Sequence, residues 1–298
     1  MSHLRIGVWF DERHMAFGGP TVVLLGTILG FFQDAAARDE SIRILLNEPG
    51  DVNWELGLPK DLPSELAAAP NLVFGPMCFK HSDGELRNPA EHALFAVKER
   101  PVLFASDWFR EWVCHAVPFP RALTWGAGVD TDFFTPSCEP PSMDFFIYFK
   151  SQRYEDLGRI NDFLFNEYFG IRGTVLTYYS YDAEMLRDAA QSARFCIMLD
   201  RTETQGLAAL EIMACGCPLF VLDETVYEGV GRTAPATSVT CWDASCGMKS
   251  SFDRIRVDFP AFLTQLPSYT PRAFVETSYS FAAAAGRLRE IMHHAETS

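Results

Sequence analysis

Short apolar segments alternate with longer helical segments along this chain, and that alternation restricts its fold more than any other feature. We predict strands at residues 4–10, 41–46, 71–74, 101–105, 145–149, 173–178, 195–199 and 219–222, with a weaker one near 238–242. Helices are predicted between them, for example over 21–32 and 107–113, the latter capped by Ser106. Strands that alternate with helices form parallel sheets covered by helices on both faces. The pattern therefore predicts an α/β protein.

The length of the chain predicts two domains. Its 298 residues are enough for two units of about 150 residues each. A proline-rich hinge, Ser137–Ser142, lies near the midpoint. We therefore predict a first Rossmann-like domain over 1–137 and a second over 138–275. A C-terminal helix within 276–298 is then available to pack back on the first domain.

Charge and cysteine usage exclude several classes of function. The net charge of −14 leaves no basic surplus to neutralise nucleic-acid phosphates, and it disfavours docking on an anionic membrane. The eight cysteines form no C-x-x-C pair, which fits reduced thiols in the cytoplasm. We find no cleavable signal and no apolar run approaching about 20 residues, so we expect a cytoplasmic protein without a membrane helix.

The N-terminal region resembles the opening of a Rossmann-like unit. A predicted strand leads into Gly18-Gly19-Pro20 and then into an apolar helix, whose first turn suits the proline. A plain turn is the alternative reading of the two glycines. The segment lacks G-x-G-x-x-G, so a dinucleotide-dependent oxidoreductase is disfavoured.

The stretch from Glu203 to Pro218 gives the strongest indication of a ligand site. Glu203 and Glu211 lie eight positions apart, and Gly206 opens the apolar helix between them. A helix N-terminus offers unpaired N–H groups and partial positive charge, which suit a phosphate. Glycine lets a ligand approach the backbone closely. The competing interpretation is a surface acid before an ordinary helix.

This stretch resembles the retaining glycosyltransferases of the GT-B type, most closely family 4. The matching positions are Glu203, Gly206, Glu211, Ala214-Cys-Gly216 and Pro218. Further matches in the same order are Trp125–Pro136, Phe145–Phe149 and Phe274–Phe281. The family usually has an aromatic residue where Gln205 stands. The resemblance implies two Rossmann-like domains whose parallel sheets face each other across a cleft. The first, residues 1–137, would bind the acceptor, and the second, residues 138–275, would bind the nucleotide-sugar donor.

The resemblance implies a role for each matching residue. Glu211 would bond the ribose hydroxyls of a nucleotide-sugar donor, and Glu203 would contact the sugar as a catalytic carboxylate. Backbone N–H groups near Gly206 and Leu207 would meet the diphosphate or the sugar.

Two cations, Lys150 and Arg153, follow the predicted strand 145–149 where the family has a basic phosphate-binding loop. Clamping a diphosphate requires such residues, because charge-assisted bonds to phosphate are stronger than neutral ones. The usual glycine of that loop is absent, and a solvated basic turn is the alternative.

The remaining candidates are placed by the family pattern alone. Gly18 and Gly19 would approach the donor phosphate and the acceptor, and Tyr179 and Tyr181 would seat the base, with core or surface packing as the alternative. A first-domain histidine is expected near the donor sugar; His81 is the first choice, ahead of His92 and His115. No His, Cys and Asp set has metal-ligand spacing, and the family resemblance implies no obligatory metal.

The resemblance therefore implies a metal-independent, retaining hexosyltransferase. It would move a sugar from a UDP- or GDP-sugar to a glycan, glycolipid or glycoconjugate acceptor in the synthesis of a surface glycan. The reaction would take place in the bacterial cytoplasm or, if the protein is encoded by a virus, in the cytoplasm of the host. A nucleotide-sugar epimerase of the same fold and a catalytically silent nucleotide-sugar-binding protein are the alternatives. The sequence does not identify the base, the sugar or the acceptor.

Overall fold

A computed structural model describes residues 3–12, 15, 18–56, 64–77, 99–229 and 231–295. The chain divides into two compact units. Unit 1 comprises Met1–Gly128, Glu228–Ala234 and Ser278–Ser298, and unit 2 comprises Val129–Tyr227 and Pro235–Thr277. Unit 1 is therefore assembled from separate segments of the chain, with most of unit 2 between them in sequence.

The described strands and helices alternate, as the sequence predicts. The strands are β1 (Leu4–Phe10), β2 (Ile42–Leu46), β3 (Val52–Leu56), β4 (Leu72–Met77), β5 (Val102–Phe104), β6 (Ala122–Thr124), β7 (Met143–Phe149), β8 (Gly173–Thr177), β9 (Ala193–Leu199), β10 (Leu219–Leu222), β11 (Val226–Gly229), β12 (Arg232–Pro235) and β13 (Gly247–Ser250). The helices are α1 (Gly18–Ala37), α2 (Ser64–Ala67), α3 (Asp107–Ala116), α4 (Tyr154–Glu167), α5 (Ala183–Ser192), α6 (Leu207–Ala214), α7 (Ile255–Gln265), α8 (Pro271–Tyr279) and α9 (Phe281–His293).

Unit 1 is built on a six-stranded sheet with the strand order β2-β1-β3-β4-β5-β6. Neighbouring strands run parallel throughout. The chain passes from β1 to β2 on one side and then crosses to β3 on the other, so the order reverses between β1 and β3. Ligands of open α/β sheets bind at the carboxyl ends of the strands beside such a switch point.

Unit 2 repeats this plan in a five-stranded sheet with the order β13-β10-β9-β7-β8. These strands are also parallel, and the order reverses between β7 and β9. The two sheets confirm the predicted α/β class with two Rossmann-like domains.

Phenylalanine fills one side of the unit 2 core. Phe259 of α7 packs edge-to-face on Phe220 and Phe195, with ring centroids 5.0 and 5.8 Å apart. Aromatic pairs favour this geometry, because the positive ring edge meets the negative ring face. The cluster anchors α7 to the central strands of the sheet.

The sequence-based prediction omits the described strands β3, β6, β11, β12 and β13, and it is also wrong about residues 238–242 and about the cap at Ser106. Residues 238–242 form no strand; β13 lies further along the chain and completes the unit 2 sheet. The strand β3 is missing from the prediction, because Asn53 and Glu55 interrupt its apolar pattern although every residue of β3 is buried. Ser106 precedes α3 as predicted, but its hydroxyl makes no capping hydrogen bond.

In unit 1 the helices α1 and α9 pack closely through glycine. A Cβ added at Gly26 would lie 2.4 Å from the Phe281 ring, and one at Gly30 would lie 2.3 Å from the Phe281 carbonyl oxygen. An ion pair secures the same contact: Arg289 Nη2 of α9 lies 2.6 Å from Asp34 Oδ2 of α1. Glycine at these two positions therefore permits the helices to approach each other.

The apolar character of α1 bears on the expectation that the chain lacks a membrane helix. Within the described ranges, α1 has the length and composition of a membrane-spanning helix, with a mean hydropathy of 1.4. The expectation that no apolar run approaches about 20 residues is therefore wrong for α1. Core helices of globular proteins share these properties, and 44% of the apolar 18-residue stretch of α1 is buried inside the structure.

We predict that Gly30→Ala lowers the free energy of unfolding by about 1–3 kcal/mol, because the new methyl group meets the backbone of α9. The matched control is Gly158→Ala in α4, where an added Cβ meets nothing within 4 Å. That control should gain roughly 0.5–1 kcal/mol from helix propensity. Urea unfolding measures both changes; equal midpoints for Gly30→Ala and the parent protein would contradict the packing argument.

One buried acid of β3 makes stability depend on pH. Glu55 is 4% exposed, and burial together with the nearby charge of Asp11 raises its pKa to about 8. Between pH 4.5, its ordinary pKa, and pH 8 the folded protein holds this proton and the unfolded chain does not. Stability from this group is therefore highest below pH 4.5 and falls as the pH rises towards 8.

We predict that Glu55→Gln removes a slope of roughly 1.4 kcal/mol per pH unit from the free energy of unfolding in this window. The variant should therefore be more stable than the parent at pH 7.5 and similar to it near pH 4.5. Urea unfolding at pH 5.5, 6.5 and 7.5 measures the difference in the free energy of unfolding between the variant and the parent. Groups that titrate in the same way in both proteins cancel in this difference. Glu65→Gln, at an exposed position of α2, is the control that should keep the parent's slope.

Candidate functional site

The candidate site of unit 2 lies at its switch point. Lys150 follows β7 directly, and Asp200 follows β9, its neighbour in the sheet. The strand residues before them, from Phe145 on β7 and from Phe195 on β9, are buried. Polar side chains from both strands therefore meet at the carboxyl edge, where α/β sheets bind ligands.

Lys150, Asp200 and Glu203 form an ionic group that we call the Lys150 cluster. Lys150 Nζ lies 2.6 Å from Glu203 Oε1 and 4.0 Å from Asp200 Oδ2. Burial works to lower the pKa of Lys150, but the charges of Glu203 and Asp200 outweigh it, so the pKa is raised. The lysine is therefore a cation held by two carboxylates.

Asp200 is a member of this cluster that the sequence analysis did not select. It is 5% exposed, its Oδ1 accepts a hydrogen bond from the Arg201 N–H at 2.7 Å, and its carbonyl accepts one from Ser238 Oγ at 3.3 Å. The sequence does show that Asp200 directly follows a predicted strand. It does not show that this strand lies beside β7, so the proximity of Asp200 to Lys150 could not be predicted.

The loop before α6 turns at Gly206 as the sequence predicts. Gly206 is the N-cap and has φ 77° and ψ 61°, a left-handed conformation that favours glycine. Leu207 is the first helical residue, so the N–H groups of Leu207 and Ala208 have no partner within the helix, whereas the Ala209 N–H donates to the Gly206 carbonyl oxygen at 3.1 Å. Leu207 and Ala208 lie four and five residues after Glu203 in sequence.

Glu211 lies inside α6 as a partly buried acid. Burial raises its pKa to about 7, and its carboxyl has no hydrogen-bond partner among the described residues. The Glu211 carboxyl therefore has hydrogen-bonding capacity that the described protein groups do not use.

The segment 236–240, part of which was predicted as a weak strand, supports the Lys150 cluster. The Glu203 N–H donates to the Thr237 carbonyl oxygen at 2.9 Å. Asp223 Oδ1 in turn accepts bonds from Thr237 Oγ1 at 2.8 Å and from the Ser238 N–H at 2.7 Å. Lys249 Nζ donates to the Val239 carbonyl oxygen at 2.7 Å. This network fixes the backbone that carries Glu203.

A group of tyrosines follows β8 beside the cluster. Tyr181 and the buried Tyr148 of β7 share a hydrogen bond of 2.8 Å between their hydroxyls. Lys150 Nζ lies 4.9 Å from the centroid of the Tyr178 ring. Tyr179 is 82% exposed and has φ 68°. Of the two predicted base-binding tyrosines, Tyr181 is tied into the sheet edge and Tyr179 is open to solvent.

Arg153, the second predicted cation, belongs to a different ionic group. It is the N-cap residue of α4, and its guanidinium lies 3.0 Å from both Asp156 Oδ2 and Glu224 Oε2. Arg153 is 42% exposed, whereas Lys150 is 23% exposed. Lys150 therefore lies within the cluster, and Arg153 is paired with acids outside it.

The remaining candidates belong to unit 1. Gly18 and Gly19 are the first residues of α1, both exposed, and an added Cβ at either would meet nothing within 4 Å. His115 is exposed in the last turn of α3. His81 and His92 lie outside the described residues. In the part of the chain that the structure describes, no group of three or more His, Cys, Asp or Glu is placed to hold a metal ion.

Comparison with known proteins shows which fold these two units represent. No protein-family model matches the chain, and no curated protein matches it in sequence. A glycosyltransferase from Rickettsia africae ESF-5 is similar in structure over 100% of both chains, with a TM-score of 0.57 and 10% identity. The apo form of the lipopolysaccharide outer core galactosyltransferase WaaB is similar over 97% of this chain and 99% of its own, with a TM-score of 0.53 and 11% identity.

A third similar structure was determined with ligands. The pneumococcal O-GlcNAc transferase GtfA, in complex with UDP and GlcNAc, has a TM-score of 0.52 at 12% identity, over 85% of this chain and 58% of its own. Identities this low carry information on the fold alone. The comparisons confirm the predicted likeness at that level: the chain has the fold of the GT-B-type glycosyltransferases.

Proposed function

We propose that this protein is a retaining glycosyltransferase of the family 4 type that uses a nucleotide-sugar donor. The observation that carries the proposal is the loop and helix from Glu203 to Glu211, placed beside Lys150 at the switch point of unit 2. Transfer from a nucleotide-sugar has to stabilise a leaving diphosphate and a positively charged sugar. A helix N-terminus, a fixed cation and two carboxylates are groups suited to those charges.

The donor would bind with its diphosphate between the first turn of α6 and Lys150. The N–H groups of Leu207 and Ala208, which follow the Gly206 N-cap, attract a phosphate through hydrogen bonds and through the helix dipole. Lys150 is held by Glu203 and Asp200 before the donor arrives, so a diphosphate competes with these acids for its charge. We propose that this exchange frees Glu203 to bond the hydroxyls of the donor sugar.

Glu211 would bond the ribose. Its carboxyl lies inside α6 without a described partner, so vicinal hydroxyls of a ribose would supply the missing hydrogen bonds. Tyr181, fixed by its bond to Tyr148, and the exposed Tyr179 offer rings on which a base can stack. UDP and GDP donors both fit this description; UDP is the nucleotide present in the GtfA complex.

We propose further that transfer requires no metal ion, because Lys150 and the α6 terminus supply positive charge for the diphosphate. The reaction would take place in the cytoplasm, in the synthesis of a surface glycan or glycolipid. The thiols of all described cysteines are free, as in reducing compartments.

The proposal is tested by a thermal-shift panel of UDP-, GDP- and ADP-sugars in buffer with EDTA, followed by assay of free nucleotide diphosphate. A ligand that binds the folded state raises the melting temperature according to its concentration relative to Kd. We expect a shift with one nucleotide class and release of its diphosphate. A shift without turnover in the presence of any acceptor would instead support the silent binder, and no shift with any nucleotide would overturn the proposal.

We predict that Glu211→Ala weakens binding of the free nucleotide diphosphate about tenfold, because a charge-assisted bond to ribose contributes roughly 1.5–3 kcal/mol. Glu203→Ala should bind the same ligand as well as or better than the parent, because it removes a competitor for Lys150. Calorimetry at pH 8 measures both affinities. Equal losses in the two variants would refute the division of roles.

We predict that Lys150→Ala lowers the transfer rate and weakens diphosphate binding by about tenfold or more, with bare nucleoside binding unchanged. Arg153→Ala should have the smaller effect on both, because its guanidinium is paired with Asp156 and Glu224 outside the cluster. Steady-state kinetics and calorimetry separate the two cations. A larger loss in Arg153→Ala than in Lys150→Ala would place the clamp at Arg153.

A further inference from the structure

The switch point of unit 1 corresponds by topology to the one that carries the Lys150 cluster. In unit 1 the strand order reverses between β1 and β3, as it does between β7 and β9 in unit 2. Asp11 follows β1, and Glu55 is the penultimate residue of β3. Each switch point therefore carries acidic side chains, but only in unit 2 does the described structure place a lysine with them.

Glu55 lies deep within the sheet edge. It is paired in register with Trp9 of β1 on one side and with Phe74 of β4 on the other, and it is 4% exposed. Its side chain leaves the sheet on the same face as Asn53, since side chains two residues apart share a face. The charge of Asp11 acts on its carboxyl, which places that carboxyl beside the loop that follows β1.

Asn53, the neighbouring buried polar residue, is fully bonded. Its Oδ1 accepts from Trp9 Nε1 at 3.2 Å and from the Gly50 N–H at 2.9 Å. Its amide group donates to the Gly50 and Pro70 carbonyl oxygens at 3.1 and 2.7 Å. Asn53 therefore has a structural role, and Glu55 on the same face has no described hydrogen bond to explain its presence.

Structure alone gives no reason for an acid at position 55. A buried carboxyl without partners destabilises a fold, and an apolar side chain of similar size would be neutral or better there. Burial keeps the carboxyl protonated at neutral pH, since its pKa is about 8. In that form it both donates and accepts a hydrogen bond, which is the capacity of a hydroxyl group.

We propose that Glu55 is a ligand-binding residue whose carboxyl exchanges hydrogen bonds with a hydroxyl of an uncharged sugar or polyol at the β1/β3 switch point. Asp11 at this edge disfavours an anionic ligand, so the site differs in chemistry from the Lys150 cluster. This inference rests on the proposed function, under which the uncharged ligand is the hydroxyl-bearing acceptor.

The test is saturation-transfer difference NMR at pH 7 on the full-length protein with glycerol and with the methyl α- and β-glycosides of glucose, galactose, mannose and N-acetylglucosamine. The samples are the parent, Glu55→Leu, Glu55→Gln and Glu65→Gln, the last being the exposed control on α2. Urea unfolding confirms that each variant is folded. Binding of UDP and GDP to the same samples is measured by calorimetry.

We expect a saturation-transfer signal from at least one probe with the parent protein. That signal should fall at least fivefold in Glu55→Leu and stay at the parent's level in Glu65→Gln. Glu55→Gln should keep most of the signal, because an amide also donates and accepts hydrogen bonds. Unchanged signal in Glu55→Leu, or no signal for any probe in the parent, would overturn the inference. If the sugar signal behaves in either of these ways while the parent and Glu55→Leu still bind a nucleotide, only the inference about Glu55 fails. If the parent binds no nucleotide, the result counts against the proposed function.

Discussion

The burial of parallel strands on both faces determines where polar chemistry can lie in this protein. Residues 145–149 of β7 and 195–199 of β9 are buried, so a charged side chain at these positions would lose its water without compensation. Lys150 and Asp200 appear at the first positions beyond these strands. Because adjacent parallel strands end at one edge, the same constraint that excludes charge from the core concentrates it at that edge. The contact between Lys150 and Glu203 results from this constraint.

The two units share one strand topology but carry different side chains at the corresponding edge of the sheet. Both sheets reverse their strand order between the first and third strands, which creates a crevice at the carboxyl edge. Unit 2 equips that edge with a cation, two carboxylates and a helix terminus that begins at an αL glycine. Unit 1 has Glu55 there with Asp11 nearby. This difference in charge underlies our proposals of a charged donor on unit 2 and an uncharged ligand on unit 1.

The sequence was sufficient for features encoded locally and insufficient for those created by strand order. The helix start at Gly206 follows from the residues of one segment, and it was predicted. Asp200 and Tyr148 were missed, because each becomes significant only once β7 and β9 are neighbours. The strand β3 was missed because alternation rules expect a buried strand to be apolar, and Glu55 breaks that rule. Such a break marks a position where folding does not explain the residue.

The packing of α9 on α1 has a consequence for how the protein is made. The strands of unit 1 leave the ribosome before those of unit 2, yet the helix that covers Gly26 and Gly30 follows all of unit 2 in sequence. Unit 2 is complete in the nascent chain before α9 emerges. Domains generally fold as units during synthesis, so the inner unit is able to fold while α1 still presents an uncovered apolar surface. Synthesis of unit 1 therefore starts before that of unit 2 and ends after it.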